Sequence, residues 1–272
     1  MSIVTISREL GSLGTEVAQA VAKDLRFEYL DKEAFNKALS EYGISSLKLE
    51  RYDEKKPPLW DVFSSDRDRF LLFMKMVIYD FARKGNVIIV GRGGQVLLQE
   101  VPGTLKIRLE APMATRLERV QQAMNCDRKQ AEHLIRSSDH DRNGFHKFFF
   151  NIDWDQRSVY DLVFNTRTLT IGTAAAIIKA AVKSGEIKNQ LKAAKRELGN
   201  LTLSQQVEAR ILYQEEVPVQ YLEVKTHDGV VTLRGAVTTM QIADRCEAIA
   251  RSMEGVEDVV NEFSMINYYG MM

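Results

Sequence analysis

The chain has 272 residues, of which 45% are hydrophobic and 27% are charged, and its 37 basic residues balance its 37 acidic ones. This composition is typical of a soluble globular protein of one or two domains. A net charge of zero argues against a dedicated nucleic-acid or anionic-membrane protein. Two cysteines, Cys126 and Cys246, far apart and without a partner motif, predict two reduced, buried thiols.

The N-terminal segment shows no basic stretch followed by an apolar one, so we expect no signal peptide. No apolar run approaches the roughly 20 residues that a bilayer requires. The longest candidate, residues 70–79, is interrupted by Lys75 and is typical of a buried helix. We therefore expect a cytoplasmic protein without a transmembrane segment.

The first thirty residues carry the strongest local pattern. Residues 3–6 are mostly β-branched and predict a strand, which a glycine-containing turn separates from an amphipathic helix over residues 14–25. A second strand-like piece follows at residues 27–31. A turn of this kind presents backbone N–H groups at a helix N-terminus, where an anion is favoured. The beginning of the chain therefore predicts a phosphate-binding α/β domain.

Strand and helix patterns alternate as far as residue 182. The predicted strands are residues 3–6, 27–29, 87–90, 105–109 and 162–164, and the predicted helices are residues 14–25, 66–83, 113–122, 127–137 and 172–182. This alternation predicts an α/β fold, a doubly wound parallel sheet with helices on both faces. Ligands bind beyond the carboxyl ends of such strands, which is where residues 11–15 and 91–94 fall.

The remaining chain predicts a linker and a second domain. Residues 183–202 are polar and helix-prone, and Gly199-Asn200 is typical of a helix end. Beyond it, a helix, two alternating strands around Asp228-Gly229, a helix and a closing strand give the order αββαβ. We therefore predict domains at residues 1–182 and 203–268, joined by a helical linker over residues 183–202.

Residues 7–14, Ser-Arg-Glu-Leu-Gly-Ser-Leu-Gly, resemble the cytidylate kinase-like family, whose members read Ser-Arg-Glu-Tyr-Gly-Ser-Gly-Gly here. The resemblance covers about residues 1–180 and includes residues 29–32, 91–94 and 138–147. It implies a P-loop nucleoside monophosphate kinase fold. Yet a Walker A loop carries a lysine, and this turn has none, because the alignment places Gly14 at the lysine position. The family's usual arginine is replaced by Thr15, and a frequent second arginine of the lid segment by Gly144.

The resemblance also implies roles for individual residues. Donor phosphates would bind the backbone of the turn: Gly11, Ser12, Leu13, Gly14 and Thr15. Arg8 would replace the missing lysine, and Glu16, or less favourably Thr15, would contact Mg²⁺. Asp31 and Arg92 would contact the acceptor, whereas Arg116 and Arg142 would stabilise the transferring phosphoryl group. ATP and Mg²⁺ are the implied cofactors.

The residues alone leave simpler interpretations open. The glycine turn also fits a capping turn without a ligand, residues 91–94 fit a strand-end turn with a solvated arginine, and Arg116 and Arg119 fit a solvated helix face. We expect His146 to be a packed histidine. Residues 48–69 would form the monophosphate-binding insertion, and residues 66–69 are typical of a charged helix N-terminus.

The C-terminal unit is similar to a BON domain over about residues 203–266. The similarity depends on His-Asp-Gly-Val-Val-Thr-Leu-Arg-Gly at residues 227–235 and Gly-Val-Glu-Asp-Val-Val-Asn at residues 255–261. BON domains are implicated in binding phospholipid or other ligands. The unit has no basic cluster and no catalytic constellation, so we expect it to regulate or oligomerise the protein, with a lipid or protein partner as the other option.

Two functions of different classes follow. The first is an ATP-dependent phosphotransferase of the nucleoside monophosphate (cytidylate) kinase type with an atypical P-loop. The alternative is a catalytically inactive nucleotide-binding sensor that relays to the BON domain. The missing lysine, Thr15 and Gly144 favour the sensor, and the three arginines at positions 8, 92 and 142 favour the enzyme. A weaker third option is a docking protein whose α/β part is a scaffold.

Overall fold

The structure is a computed structural model that describes residues 2–45, 54 and 65–266. The chain divides into two compact units, Met1–Ala194 and Lys195–Met272, and the division falls within the predicted linker. Each unit has its own sheet and its own hydrophobic core. Most of the predicted insertion, residues 48–53 and 55–64, lies outside the described residues.

The first unit is built on a parallel sheet of five strands in the order β2-β3-β1-β4-β5. The strands are β1 Ile3–Arg8, β2 Glu28–Leu30, β3 Val87–Val90, β4 Thr104–Glu110 and β5 Leu162–Asn165. In the centre of the sheet Ile6 lies opposite Val90 on one side and Ile107 on the other. All five predicted strands are present, and three of them are near-continuous apolar runs, as expected for parallel strands that are covered on both faces.

Helices cover both faces of this sheet, which confirms the predicted fold class. They are α1 Gly14–Leu25, α2 Lys32–Glu41, α3 Ser65–Lys84, α4 Gly94–Leu97, α5 Met113–Met124, α6 Arg128–Phe150, α7 Ile171–Val182 and α8 Gly185–Lys188. On one face, Val4 and Ile6 pack with residues of α1 and α7 in a single buried cluster. On the other face, the backbone of Gly94 in α4 lies against Ile89 and Thr5.

Two helices differ from the expectation. Helix α2 was missed, although Asp31 accepts a hydrogen bond from the Ala34 N–H at 2.9 Å and so acts as its N-cap. Helix α6 continues to Phe150, so the lid-like residues 138–147 lie on a regular helix. The prediction of a charged helix N-terminus at residues 66–69 is confirmed, since α3 carries Asp66 and Asp68 in its first turn.

The second unit confirms the predicted order αββαβ. Helix α9 Leu191–Ala209 leads into a π-helical turn and then β6 Gln220–His227, β7 Val230–Val237, α10 Met240–Arg251 and β8 Asp258–Met265. Strand β7 is central, antiparallel to β6 and parallel to β8, as the crossover through α10 requires. One face of the sheet buries Val224, Val231 and Val259 beneath the helices.

The predicted helix end at Gly199-Asn200 is wrong, because α9 passes through both residues. Asn200 does not cap a helix here. Its side-chain oxygen accepts a hydrogen bond from the Asp228 N–H at 3.0 Å and so holds the hairpin turn between β6 and β7. No helix within the described part of the chain is long and apolar enough to cross a membrane.

Candidate functional site

The loop between β1 and α1 has the conformation of an anion-binding turn. Gly11 has φ 80°, and Leu13, the N-cap of α1, has φ 59°. No side chain among the described residues caps this helix start by a hydrogen bond. The N–H groups of a first helical turn have no partners within the helix, and the helix dipole adds positive potential there. The loop therefore presents amide groups that a phosphate would satisfy.

Three consecutive carbonyl groups of this loop accept hydrogen bonds from side chains behind it. The bonds are Arg116 Nε to Leu10 O at 2.7 Å, Arg119 Nη1 to Gly11 O at 3.1 Å and Thr166 Oγ1 to Ser12 O at 2.8 Å. In a trans peptide the N–H group points away from the carbonyl group of the same plane. The N–H group of Gly11 is consequently directed away from Arg116, and that of Leu13 away from Thr166.

Arg116 is fully engaged behind the loop. Its guanidinium group donates to both oxygens of Asp139 at 2.7 and 2.9 Å and lies 3.4 Å from a carboxylate oxygen of Glu9. Only 4% of Arg116 is exposed. Burial raises the pKa of Glu9, although the Ala111 N–H and the nearby guanidinium groups act in the opposite direction. The surroundings of Arg116 are those of a residue that fixes the loop.

The resemblance assigns Gly14 to the lysine position, and the structure places the side chain of Arg8 beside it. A Cβ atom on Gly14 would lie 2.3 Å from the Cβ of Arg8. Such a distance is far below van der Waals contact, so a side chain at position 14 and Arg8 in its present place exclude each other. Arg8 therefore approaches from β1 the helix start at which the resemblance would place a lysine.

A cavity of about 480 Å³ lies beyond the carboxyl ends of β1, β2 and β3. Its lining includes five of the residues assigned from the sequence: Arg8, Thr15, Asp31, Arg92 and Arg142. The other assigned residues, Gly11, Ser12, Leu13, Gly14, Glu16 and Arg116, are not among its lining residues. The structure therefore gathers residues from the three strand ends and from α6 around a single space, as expected for an open parallel sheet.

Glu54 was not identified from the sequence and lies at the centre of this cluster. Its carboxylate accepts hydrogen bonds from Arg8 Nη1 at 3.1 and 3.3 Å and from the Arg92 N–H at 2.7 Å. Arg142 Nε is 3.7 Å away. Burial alone would raise the pKa of Glu54, but the three guanidinium groups and the Arg92 amide hold that pKa well below the usual range. The carboxylate is ionised at neutral pH.

The turn after β3 shapes the other wall of the cavity. Gly91, Arg92 and Gly93 have φ values of 73°, 57° and 68°, a left-handed run that directs the Arg92 N–H toward Glu54. The Arg92 guanidinium lies 5.1 Å from the centre of the Phe35 ring, and the residue is 4% exposed. A buried arginine stacked on an aromatic ring is held in one orientation.

Arg142 reaches the cavity from α6. It hydrogen-bonds Ser138 one helical turn earlier and lies 5.8 Å from the Trp154 ring centre. Burial lowers the pKa of Arg142, although Glu54 counteracts this. Its Nε atom is buried and has no hydrogen-bond partner among the described residues.

His146 is a structural histidine, as expected. One ring nitrogen, Nδ1, lies 2.7 Å from the Arg142 carbonyl oxygen, and the other, Nε2, lies 2.7 Å from Gln95 Nε2. A carbonyl only accepts, so Nδ1 carries the hydrogen and Nε2 accepts from Gln95. Burial lowers the pKa of His146 to about 4. The imidazole is neutral at physiological pH and ties α6 to α4.

The described residues contain no group of three or more His, Cys, Asp or Glu side chains able to hold a metal ion. Glu16 is exposed in the first turn of α1. Mg²⁺ in phosphotransfer sites is commonly held by one or two protein oxygens together with the phosphates. A single carboxylate beside an amide-rich loop is therefore compatible with a Mg²⁺–nucleotide complex, with most ligands supplied by phosphate and water.

The parallel sheet, the loop at the start of α1 and the arginine-lined cavity are the features of an α/β protein that binds an anionic ligand. Residues 3–168 match the model of the cytidylate kinase-like family, and the chain belongs to that family. Residues 200–267 match the model of the BON domain.

Individual relatives agree with both assignments. Over 181 residues the chain is 26% identical to a cytidylate kinase of Pyrococcus horikoshii, covering 66% of this chain and 88% of that protein. The second unit is 36% identical over 64 residues to the osmotically-inducible protein Y of Escherichia coli, which amounts to 24% of this chain and 32% of that protein. A crystal structure of an uncharacterized protein from Eubacterium ventriosum shares the fold of the first unit, with a TM-score of 0.53, 22% identity, and coverage of 68% of this chain and 99% of that one.

Proposed function

We propose that the protein is an ATP-dependent phosphotransferase of the nucleoside monophosphate (cytidylate) kinase type. The observation that carries this proposal is the meeting of Arg8, Arg92 and Arg142 at one cavity beside the loop that starts α1. Family membership and curated relatives named cytidylate kinase support the same class of reaction. Guanidinium groups suit phosphoryl oxygens, since they offer paired donors and keep their charge.

Arg8 and the loop would bind the donor. The backbone of residues 11–15 would receive the donor phosphates, with the N–H groups of Gly11 and Leu13 directed away from the supporting Arg116 and Thr166. Arg8 would provide the positive charge that a lysine provides in other P-loops, from the space that Gly14 leaves beside it. ATP supplies the phosphoryl group when bound, and Mg²⁺ neutralises its charge, with Glu16 or Thr15 as the protein contact.

Arg92, Asp31 and Arg142 would serve the acceptor and the transferring group. Arg92 is held rigidly on Phe35, which suits a residue that orients an acceptor phosphate. One carboxylate oxygen of Asp31 already accepts the N-cap hydrogen bond of α2, so the second oxygen would face an acceptor hydroxyl or amine. Arg142 would contact the transferring phosphoryl group from α6. Arg116 would act as a positioning residue, because its donors hold Leu10, Glu9 and Asp139.

The second unit would regulate or oligomerise the kinase in the cytoplasm. Its sheet and helices bury one apolar core, and no helix in the described chain could anchor it across a bilayer. A BON unit on a kinase fold suits control of activity by a ligand or a second copy of the chain.

The direct test is turnover of a panel of nucleoside monophosphates by the purified full chain with ATP and Mg²⁺. We expect at least one acceptor to be phosphorylated, and we expect Arg8→Ala to abolish its turnover while near-UV circular dichroism stays unchanged. Arg136→Ala is the control, since Arg136 is exposed and pairs only locally with Glu132. ATP binding without turnover of any monophosphate would contradict the enzyme.

That last outcome would favour the second candidate, a nucleotide-binding sensor without catalysis. The structure offers one observation for it: Arg8, the only charge proposed to replace the lysine, is engaged by the Glu54 carboxylate. A sensor would retain ATP binding and show nucleotide-dependent changes in the second unit, measured by hydrogen exchange.

A further inference from the structure

The carboxylate of Glu54 lies in a site with the construction of an anion-binding pocket. Its Oε1 accepts the Arg92 N–H at 2.7 Å, and its Oε2 accepts from Arg8 Nη1 at 3.1 Å. A Cβ atom on Gly91 would stand 1.8 Å from Oε1, so only glycine at that position admits an oxygen here. A backbone amide, a glycine turn and guanidinium groups are the donors by which proteins bind phosphate as well as carboxylate.

One donor of this site is not satisfied by the carboxylate. Arg142 Nε is buried, has no hydrogen-bond partner in the described part of the chain, and lies 3.7 Å from Oε2. The two carboxylate oxygens face the Arg92 N–H and Arg8 Nη1, and in this geometry neither lies within hydrogen-bond distance of Arg142 Nε. A phosphoryl group offers three oxygens in a tetrahedral arrangement, and the third would serve Arg142. A buried unsatisfied donor is costly and calls for an acceptor.

The charges around the cavity agree with this comparison. The described lining residues comprise four cations, Arg8, Lys32, Arg92 and Arg142, and three carboxylates, Asp31, Glu54 and Asp141. Among these described lining residues, the cations outnumber the carboxylates by two when the Glu54 carboxylate is outside the site. That excess matches a phosphate monoester, which approaches a double negative charge at neutral pH.

We propose that the Glu54 carboxylate and the phosphoryl group of a nucleotide are alternative occupants of the site formed by Arg8, the Arg92 N–H and Arg142. Glu54 then sets the affinity for the substrate by competing with it from within the chain. The identity of the ligand as a nucleotide rests on the proposed function. The site itself, its preference for a phosphoryl group and the competition rest on the geometry of the four residues.

The experiment measures binding of inorganic phosphate to the full-length chain by isothermal titration calorimetry, without ATP or turnover. Glu54→Gln keeps the shape of the side chain and removes its charge, and we expect it to bind phosphate about tenfold more tightly than the wild type. That factor corresponds to a site free of Glu54 for about one-tenth of the time in the wild type. Glu33→Gln is the matched control, because it removes one charge from an exposed residue in the first turn of α2 and should leave affinity unchanged.

Glu54→Asp provides a second variant if the glutamine variant does not fold. It keeps the charge but shortens the reach by one methylene, and we expect an intermediate gain in phosphate affinity. Equal or weaker phosphate binding in the folded Glu54 variants would overturn the proposal and identify Glu54 as a fixed counter-ion that positions the arginines. A gain in phosphate affinity without turnover of any monophosphate would leave the competition standing and refute the kinase. Turnover of a monophosphate without a gain in phosphate affinity would support the kinase and refute the competition.

Discussion

The arginines behind the loop and the arginines in front of it differ in how their charges are used. Behind it, Arg116 and Arg119 donate to loop carbonyls, and Arg116 also pairs with Asp139 and Glu9. In front, Arg8 and Arg142 face a single carboxylate, that of Glu54. We call Arg116 and Arg119 the rear arginines, and Arg8, Arg92 and Arg142 the front arginines.

We infer from this difference that the rear arginines support the loop and that the front arginines contact the ligand. The rear arginines hold the loop, because their N–H groups donate to protein oxygens. Few of their donors remain for a ligand. The front arginines line a cavity whose described cations outnumber its described carboxylates, and Arg142 Nε has no hydrogen-bond partner among the residues that the structure describes. A substitution in front should therefore reduce phosphate binding and turnover, whereas one behind should reduce the free energy of unfolding.

The largest effect is expected for Arg8→Ala. Loss of one guanidinium at a transferring phosphoryl group should lower kcat/KM about a thousandfold or more, by analogy with arginine fingers. Arg8→Lys should restore part of the rate, because it keeps a positive charge but loses the paired donors. Steady-state kinetics with the best acceptor from the panel measure both. If Arg8→Ala retained near wild-type kcat/KM, Arg8 would not replace the missing lysine.

Arg116→Met should act in the opposite way, on stability. It leaves Asp139 and the Leu10 carbonyl without their guanidinium donor, whereas Glu9 keeps the Ala111 N–H and Arg108, and breaking such a network costs about 3 kcal/mol. Urea unfolding at neutral pH measures this loss. Arg136→Ala removes an exposed pair on α6 and should change the free energy of unfolding by less than about 0.5 kcal/mol. Equal effects of the two substitutions would remove the distinction between rear and surface arginines.

Much of the first unit could be predicted from the sequence, because its signals are local. Runs such as Val87–Val90 are apolar throughout and bury both faces, so they identify parallel strands without tertiary information. The glycine turn before α1 is likewise local. Helix α2 was missed since Asp31 was interpreted as a substrate contact, although the same residue followed by Lys32–Glu41 is a helix N-cap signal.

The remaining features depend on contacts distant in sequence. Glu54 meets Arg8, Arg92 and Arg142 from 46, 38 and 88 positions away, and nothing in its own neighbourhood marks it as a site residue. Arg108 is a different case. Arg108 was not singled out from the sequence, although an arginine within an apolar strand is a local signal of a buried charge, and its Nη1 donates to the Trp154 carbonyl at 2.8 Å. The helix end predicted at Gly199 failed because packing of α9 overrides a local preference.

His146 lies on the same helix as Arg142 and should lower the free energy of unfolding at acidic pH. Burial holds the pKa of His146 at about 4, below its unfolded value of 6.5, so the unfolded chain takes up this proton first as the pH falls. The free energy of unfolding should therefore be constant above about pH 6.5 and fall by about 3 kcal/mol toward pH 4 from this residue alone. Urea unfolding as a function of pH measures it.

The variant His146→Gln tests whether His146 causes this fall in the free energy of unfolding with decreasing pH. Glutamine can donate to the Arg142 carbonyl and accept from Gln95 without titrating, so the variant should lose stability less steeply between pH 6.5 and 4. His140→Gln changes an exposed histidine of the same helix and should leave the wild-type slope intact. Identical slopes in all three proteins would show that His146 is protonated at ordinary cost in the folded state.

The smallest effect concerns Gly14→Ala, which tests whether the lysine was exchanged for Arg8. The added Cβ would lie 2.3 Å from the Cβ of Arg8, so Arg8 or the start of α1 must shift. Overpacking of this kind costs about 1 to 3 kcal/mol, and here part of it should appear as weaker phosphate binding, since Arg8 leaves its place at the cavity.

Two measurements separate the contributions in Gly14→Ala. Calorimetry with inorganic phosphate measures the phosphate affinity, to which Arg8 contributes. Urea unfolding measures the free energy of unfolding. Ala22→Gly, in the interior of the same helix α1, lowers stability by about 1 kcal/mol through helix propensity and leaves Arg8 undisturbed. Both variants should lose stability. A loss of phosphate affinity in Gly14→Ala alone would therefore support the interpretation that Arg8 replaces the lysine. Equal phosphate affinity in both would mean that Arg8 keeps its function when displaced, and that the glycine serves packing alone.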